Sequence, residues 1–241
     1  MRRAALATDL DGIAQMALEA TSPDLAASER VSAYAPEQSL LVACLLSMSG
    51  GFIDAFTWLS LGGVFANSQT GNVVFLGMYA ALGQWQEAAR HVPPILAFLV
   101  GAWVAIRLRA PLLCLAVEIF LLAAVMLVLH RLPGPLAIIA MSFGVALQTA
   151  SFRQVEYWKY LSVTVTGNLL RAVEQSMATT DPKAARGART MLTVCLMFLF
   201  GAVAGAFVTV RLAANSLALP LVLLMSALWF CCRHRYLRHE T

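Results

Sequence analysis

Two copies of one tripeptide raise the first chemical question. Thr70-Gly71-Asn72 lies in "ANSQTGNVVFLG", and Thr166-Gly167-Asn168 lies in "VTVTGNLL". Both copies lead into apolar sequence, and Asn67, Ser68 and Gln69 crowd hydrogen-bonding groups ahead of the first. A helix start exposes about four unpaired N–H groups and a partial positive charge. Threonine is a competent N-cap, glycine admits close approach, and asparagine adds a donor and an acceptor. Inside a protein-lined cavity, such a start suits an anion or a polar group. Asn67, Thr70, Gly71, Asn72, Thr166, Gly167 and Asn168 are therefore the candidate solute-binding residues, with Thr70 and Thr166 as expected caps. The structural alternative is that the motif only caps and packs a broken helix.

Two carboxylates fall inside apolar runs: Asp54 in "GGFIDAFTW" and Glu118 in "CLAVEIFLL". Acids in a bilayer are costly, so function is their default explanation. Both are candidate ion-coupling residues. Asp54 fits best because its segment leads into the first Thr-Gly-Asn. For Glu118 an interhelical hydrogen bond is an equal alternative. Gln148 is the neutral polar counterpart of Asp54 in the second half. His91 and His130 are expected at a membrane edge. Cys44, Cys114, Cys195, Cys231 and Cys232 show no metal-ligand spacing and read as reduced packing residues. No metal or cofactor is expected. The sequence carries no GxSxG, HExxH or GxxxxGK[ST], so no catalytic residues, enzyme activity or direct ATP drive are expected.

The elements that hold these residues follow from composition. The chain has 60% hydrophobic and 12% charged residues, with a mean hydropathy of +0.74. A soluble domain carries about 25% charged residues, so this chain lacks a charged shell. Six runs approach the length of a spanning helix, about 20 apolar residues. They are Leu41–Gly62, Pro93–Arg109, Pro111–Leu129, Gly134–Phe152, Thr190–Leu212 and Ala214–Phe230. Backbone groups in lipid must bond internally, which makes these runs helices. The lipid bilayer is thus the first partner. Residues 1–40 hold scattered acids and no signal-like apolar core, and are expected to be a mobile tail with a weak helix near Leu10–Ala20. Residues 41–232 form one membrane domain, and 233–241 a basic tail.

Charge sets the orientation. With the N-terminus inside and six crossings, 14 of the 17 Lys and Arg residues fall on the cytoplasmic side; the outer three are Arg90, Arg131 and Arg211. That asymmetry is the positive-inside pattern, with both termini cytoplasmic. It accounts for the net charge of +4 without nucleic-acid binding. Eight crossings, in which both Thr-Gly-Asn segments span, lower the contrast to about 12 against 5.

The halves align in order. "SGGFIDAFTWL" matches "SFGVALQTASF", Thr-Gly-Asn matches Thr-Gly-Asn, and "FLVGA" matches "FLFGA". Two repeats, 41–130 and 134–232, each with three crossings, enter the bilayer from opposite sides. The fold expected is an all-α integral membrane protein of six transmembrane helices in two inverted three-helix repeats. Each repeat carries a short Thr-Gly-Asn half-helix, since Arg171 and Glu174 suit a lipid-facing crossing poorly. Gly201 and Gly205 have GxxxG spacing, read as packing within the chain. A homo-oligomer is compatible with that spacing but gains no other support.

The stretch "GGFIDAFTWLSLGGVFANSQTGNVVFLG", with the second Thr-Gly-Asn in the other half, resembles the YoaK-type family of bacterial inner-membrane proteins. The resemblance covers about residues 40–232. It implies a six-helix protein of the inner membrane with unknown function and no substrate to transfer. One departure is that Thr149 follows Gln148 where the family often has Gln-Asn. The sequence favours a secondary transporter or permease for an unidentified small polar or anionic solute, with proton coupling as an option. The alternative is a non-transporting scaffold or a partner- or lipid-binding subunit, suggested by the basic residues Lys183, Arg186 and Arg189.

Overall fold

Long apolar segments become helices because only a helix satisfies every backbone group within one segment. The computed structural model describes residues 34–162, 164–178 and 182–239. The helix expected near Leu10–Ala20 lies outside them, as does most of the expected mobile tail. A short 3-10 turn, Pro36–Gln38, precedes helix α1, Leu40–Ser60, which Ser39 caps through its side chain. Then come α2, Gln69–Ala81, and α3, Trp85–Arg90. Helix α4 covers Val92–Leu108, α5 Pro111–Val128 and α6 Gly134–Ser151. A hairpin of two-residue strands, β1 (Gln154–Val155) and β2 (Trp158–Lys159), leads to α7, Val165–Met177. Helix α8, Pro182–Leu212, passes through a 3-10 segment, Ala213–Leu217, into α9, Ala218–His239.

Among the described residues five stretches are long and apolar enough to cross a membrane, the last, Lys183–Tyr236, running through α8 and α9. The protein is an all-α membrane protein apart from the small hairpin. Several boundaries differ from the sequence expectation. Helix α8 starts eight residues before Thr190, because Arg186 there is held by the hairpin. The expected basic tail from Arg233 is still helical to His239, and Arg235 pairs with the buried Glu37. That pair also ties residues 36–39, expected to be mobile, to the membrane domain.

The helices pair across the halves. Helix α1 packs most extensively on α8, and α4 on α6. Glycines permit both approaches. A Cβ on Gly201 of α8 would overlap the Met48 carbonyl of α1, and one on Gly101 of α4 would lie 2.6 Å from the Phe143 oxygen of α6. The matched glycines of "FLVGA" and "FLFGA" therefore do the same work. Helices α5 and α9 close the core beside α1 and α6, around Phe52, Phe56, Leu115, Met141, Leu217 and Leu224. Exposed Leu, Val and Phe on α4, α5, α8 and α9 form the lipid-facing surface. The hairpin turns at Glu156, whose φ is 50°, and its carboxylate takes two bonds from Arg186 at 2.6 and 2.9 Å. Its N–H donates to Gln38, locking hairpin to helix on both sides.

Candidate functional site

Each Thr-Gly-Asn is built around its asparagine. Asn72 accepts from the Phe65 N–H at 3.0 Å and donates to the Phe65 carbonyl at 2.8 Å, as a neighbouring strand would. Asn168 does the same to Leu161, at 3.3 and 2.8 Å, again seven residues upstream. Both side chains clamp the incoming chain to the first turn of a 13-residue helix, α2 or α7. Asn72 also donates to Gln69 and faces Nδ1 of the buried His91 at 3.2 Å. Asn72 Oδ1 is an acceptor there, so Nδ1 carries the proton. His91 is buried, packed between Phe75, Tyr79 and Asn72.

The caps differ from the sequence expectation. Ser68 and Thr164 occupy the cap positions, not Thr70 and Thr166, which lie inside the first turn. Neither Ser68 nor Thr164 bonds its own helix through its side chain. The Ser68 hydroxyl is taken by Asp54 Oδ2 at 2.5 Å, while Asp54 Oδ1 accepts from the Asn67 N–H at 2.7 Å. A carboxylate at a helix start is favoured by the dipole, so Asp54 anchors α2. The Asn67 side chain donates to the Gly50 carbonyl at 3.0 Å.

The second half repeats this anchor with different groups. Gln148 reaches Ser162, fourteen residues on, the separation of Asp54 and Ser68. The Gln148 amide is satisfied when its nitrogen donates to Glu118 at 2.9 and 3.1 Å and its oxygen accepts from Ser162 Oγ at 3.2 Å. The Ser162 carbonyl in turn accepts from Ser47 Oγ of α1 at 2.6 Å. Glu118 is buried against Gly144, whose missing side chain makes its room. Gly50 and Ser47 are three residues apart on α1, about 4.5 Å along its axis. The approaches to α2 and α7 thus meet α1 within one turn, near its middle.

Between the two starts lies a cavity of about 470 Å³. Asn67, Ser68, Gln69 and Thr70 line it from the α2 start, and Thr164, Val165 and Thr166 from the α7 start. Phe98, Ala102 and Ile106 of α4 and Phe198 of α8 add apolar lining, and Thr149 and Arg153 come from the end of α6 and just beyond it. Thr70 and Thr166 are the exposed members of their motifs. Gly71, Asn72, Gly167 and Asn168 are not on the lining. Gly71 instead faces the Phe65 ring, 2.9 Å from where a Cβ would be. Thr149 and Arg153 were not singled out from sequence; an arginine just past a spanning segment reads first as topology. A second cavity of about 320 Å³, which includes Asp54, Trp58 and Ala202, shares Ser68 and Phe198 with the first. Among the described residues no cluster of three or more His, Cys, Asp or Glu could hold a metal ion.

A transmembrane protein of Bacillus subtilis (strain 168), UPF0700 transmembrane protein YoaK, is 27% identical over 143 residues. The matched stretch covers 54% of this chain and 64% of that relative, less than two thirds of its length. No solved structure matches. Residues 42–230, which hold α2 and α7, both acids and the cavity lining, match the family described as protein of unknown function (DUF1275), and the chain belongs to that family.

Proposed function

We propose that this protein is a secondary permease for a small polar or anionic solute, without enzymatic activity, and that the cavity between the two half-helix starts is its binding site. The observation that carries the reading is that cavity, lined by Thr70 from one start and Thr166 from the other. Six crossings in two inverted repeats, both termini cytoplasmic in a bacterial inner membrane, accommodate it. Three matched features support the repeat: the asparagine clamps, the Asp54–Ser68 and Gln148–Ser162 anchors, and the crossed pairing of α1 with α8 and α4 with α6. In this arrangement α2 returns toward the outer surface and α7 toward the inner one, so their positive ends face a shared midplane site.

The two cavities meet at Ser68 and Phe198. We read them as an inner and an outer vestibule with that pair as the partition. Asp54 sits beside the partition, bonded to Ser68, where a proton on its carboxyl would reverse that hydrogen bond. Rocking of one repeat against the other would open each vestibule in turn. Glu118, held by Gln148 under the α7 approach, is the second coupling group.

The test is uptake into proteoliposomes under an inward proton gradient, with a panel of small organic and inorganic anions. Asp54→Asn keeps an acceptor for the Asn67 N–H and a partner for Ser68, so folding survives. The expected result is loss of gradient-driven uptake with exchange of the solute retained. Gradient-driven uptake at the wild-type rate would sink the coupling role. The competing reading, a non-transporting partner- or lipid-binding subunit, draws on the commitment of Asn72 and Asn168 to backbone clamping. It predicts no uptake of any anion in the panel.

A further inference from the structure

Glu118 is a buried acid whose charge state decides its hydrogen bonds. It is 2% exposed, and among the described residues no ion pair reaches it. The void of about 10 Å³ beside it is otherwise lined by apolar residues such as Ile53, Leu122 and Met141, which offer a water no second polar partner. The carboxyl's polar neighbour is the Gln148 amide. One atom of that amide lies 2.9 and 3.1 Å from the two carboxyl oxygens, and the other lies 3.2 Å from Ser162 Oγ. A half-turn of the amide exchanges its two ends and leaves these heavy-atom positions occupied. The elements packed around α5 bring no opposing charge. Helix α6 and the segment Ala213–Leu217 have no titratable side chain. On α1, Asp54 turns to Asn67 and Ser68. Cys114, one turn back on α5, packs with Ala105 and Leu147, and the ionisable groups of α9 begin only at Cys231.

A carboxylate only accepts, whereas a carboxylic acid has one O–H to give. Ionised Glu118 therefore requires the amide nitrogen, which leaves the amide oxygen to accept from the Ser162 hydroxyl. Protonated Glu118 donates to the amide oxygen, and the nitrogen then donates to Ser162 Oγ. Keeping the nitrogen on the protonated acid would bury that O–H without an acceptor. The Ser162 hydroxyl thus changes from donor to acceptor as Glu118 takes up a proton. Ser162 lies on the approach to α7, and its carbonyl accepts from Ser47 of α1. Leu161 and Thr164, close to it on either side, line the cavity. In the first half Asp54 meets Ser68 without an intervening amide.

Deepening the coupling role given to Glu118, on which it rests, we propose that Gln148 is a positioning residue whose amide reverses with the Glu118 proton and passes that state to Ser162 on the approach to α7. One proton enters on Glu118; Gln148 and Ser162 gain and lose none and only reorient. Glu118 and Gln148 together stand where Asp54 alone stands in the first half, so each half-helix start is set by one acid.

Nuclear magnetic resonance of the full-length chain in detergent tests this with no solute present. Side-chain amides are read with isotope-labelled glutamine, and Gln148 is assigned by loss of its signal in Gln148→Asn, which keeps an amide in place. As pH rises and Glu118 ionises, the Gln148 amide protons are expected to move downfield, because a carboxylate is the stronger acceptor. Glu118→Gln keeps a donor and an acceptor for Gln148, so the fold survives, and the signal should then stay fixed over the same pH range. The backbone amide of Thr164, read with isotope-labelled threonine and assigned through Thr164→Ser, should move together with Gln148 in the wild type. In Ser162→Ala it should stay fixed while Gln148 still responds. A Gln148 signal that ignores pH, or one that moves equally in Glu118→Gln, would overturn the amide reversal. A Thr164 signal that never moves, or one that still moves in Ser162→Ala, would overturn its passage through Ser162. Any of these failures leaves uptake in proteoliposomes to judge the permease reading. A chain that moves no solute yet shows these shifts keeps the relay and loses the permease.

Discussion

At the scale of single residues, the two asparagines and the two threonines of the repeated motif have divided their work. Asn72 and Asn168 are buried and each gives both ends of its amide to the backbone of one upstream residue. Truncation leaves that residue's N–H and carbonyl short of a partner, at about 1–3 kcal/mol for a buried group. Asn72→Ala and Asn168→Ala should each lower the melting temperature of the purified protein by several degrees. Thr70→Ala and Thr166→Ala should change it little, within about 0.5 kcal/mol, because these side chains are exposed to the cavity. The reverse order in a thermal melt would mean that the threonines, not the asparagines, hold the motif together. This division was only half legible in the sequence. The residue types announced a polar helix start, but which oxygen met which N–H depended on an eight-residue return from Ser60 that has no periodicity to read. Asp54 stood out as an acid in an apolar run, yet its role as the anchor of α2 required the position of Ser68.

At the scale of elements, the spanning helices were the most readable part, because length and apolarity alone determine them in lipid. The breaks were readable only as anomalies. The hairpin Gln154–Lys159 gave no signal, since two-residue strands have no alternation, and its anchor Glu156–Arg186 joins residues thirty apart. Arg153 at the end of α6 carried a signal with two meanings, and topology was the commoner one. Glycine positions separate packing from propensity. Gly201→Ala should be strongly destabilising, because its methyl would overlap the Met48 backbone of α1. Gly77→Ala on α2 meets nothing within 4 Å and should stabilise the protein by about 0.5–1 kcal/mol through helix propensity. Both are read from thermal unfolding in the same detergent, and equal effects would show that α1 and α8 are not in backbone contact.

At the scale of the whole molecule, the proposed account is two inverted repeats that share one cavity and one partition. Phe198 and Ser68 line both cavities, and in the proposed account the Phe198 ring is the partition between them. Phe198→Ala should therefore raise uncoupled leak of small anions through proteoliposomes, without loss of folded protein; unchanged leak would remove the ring from the partition. Topology is tested in the same molecule. A cysteine at Lys183 should be labelled only from the cytoplasmic side, and labelling from outside intact cells would overturn the six-crossing arrangement. The most direct test of a shared alternating site needs no known substrate. Thr166→Cys is placed in a chain whose five native cysteines are replaced, and a membrane-impermeant thiol reagent is applied to each side of sealed vesicles in turn. The account predicts that Cys at this position is modified from both sides, because the cavity opens alternately to each. Modification from one side only, or from neither, would contradict it.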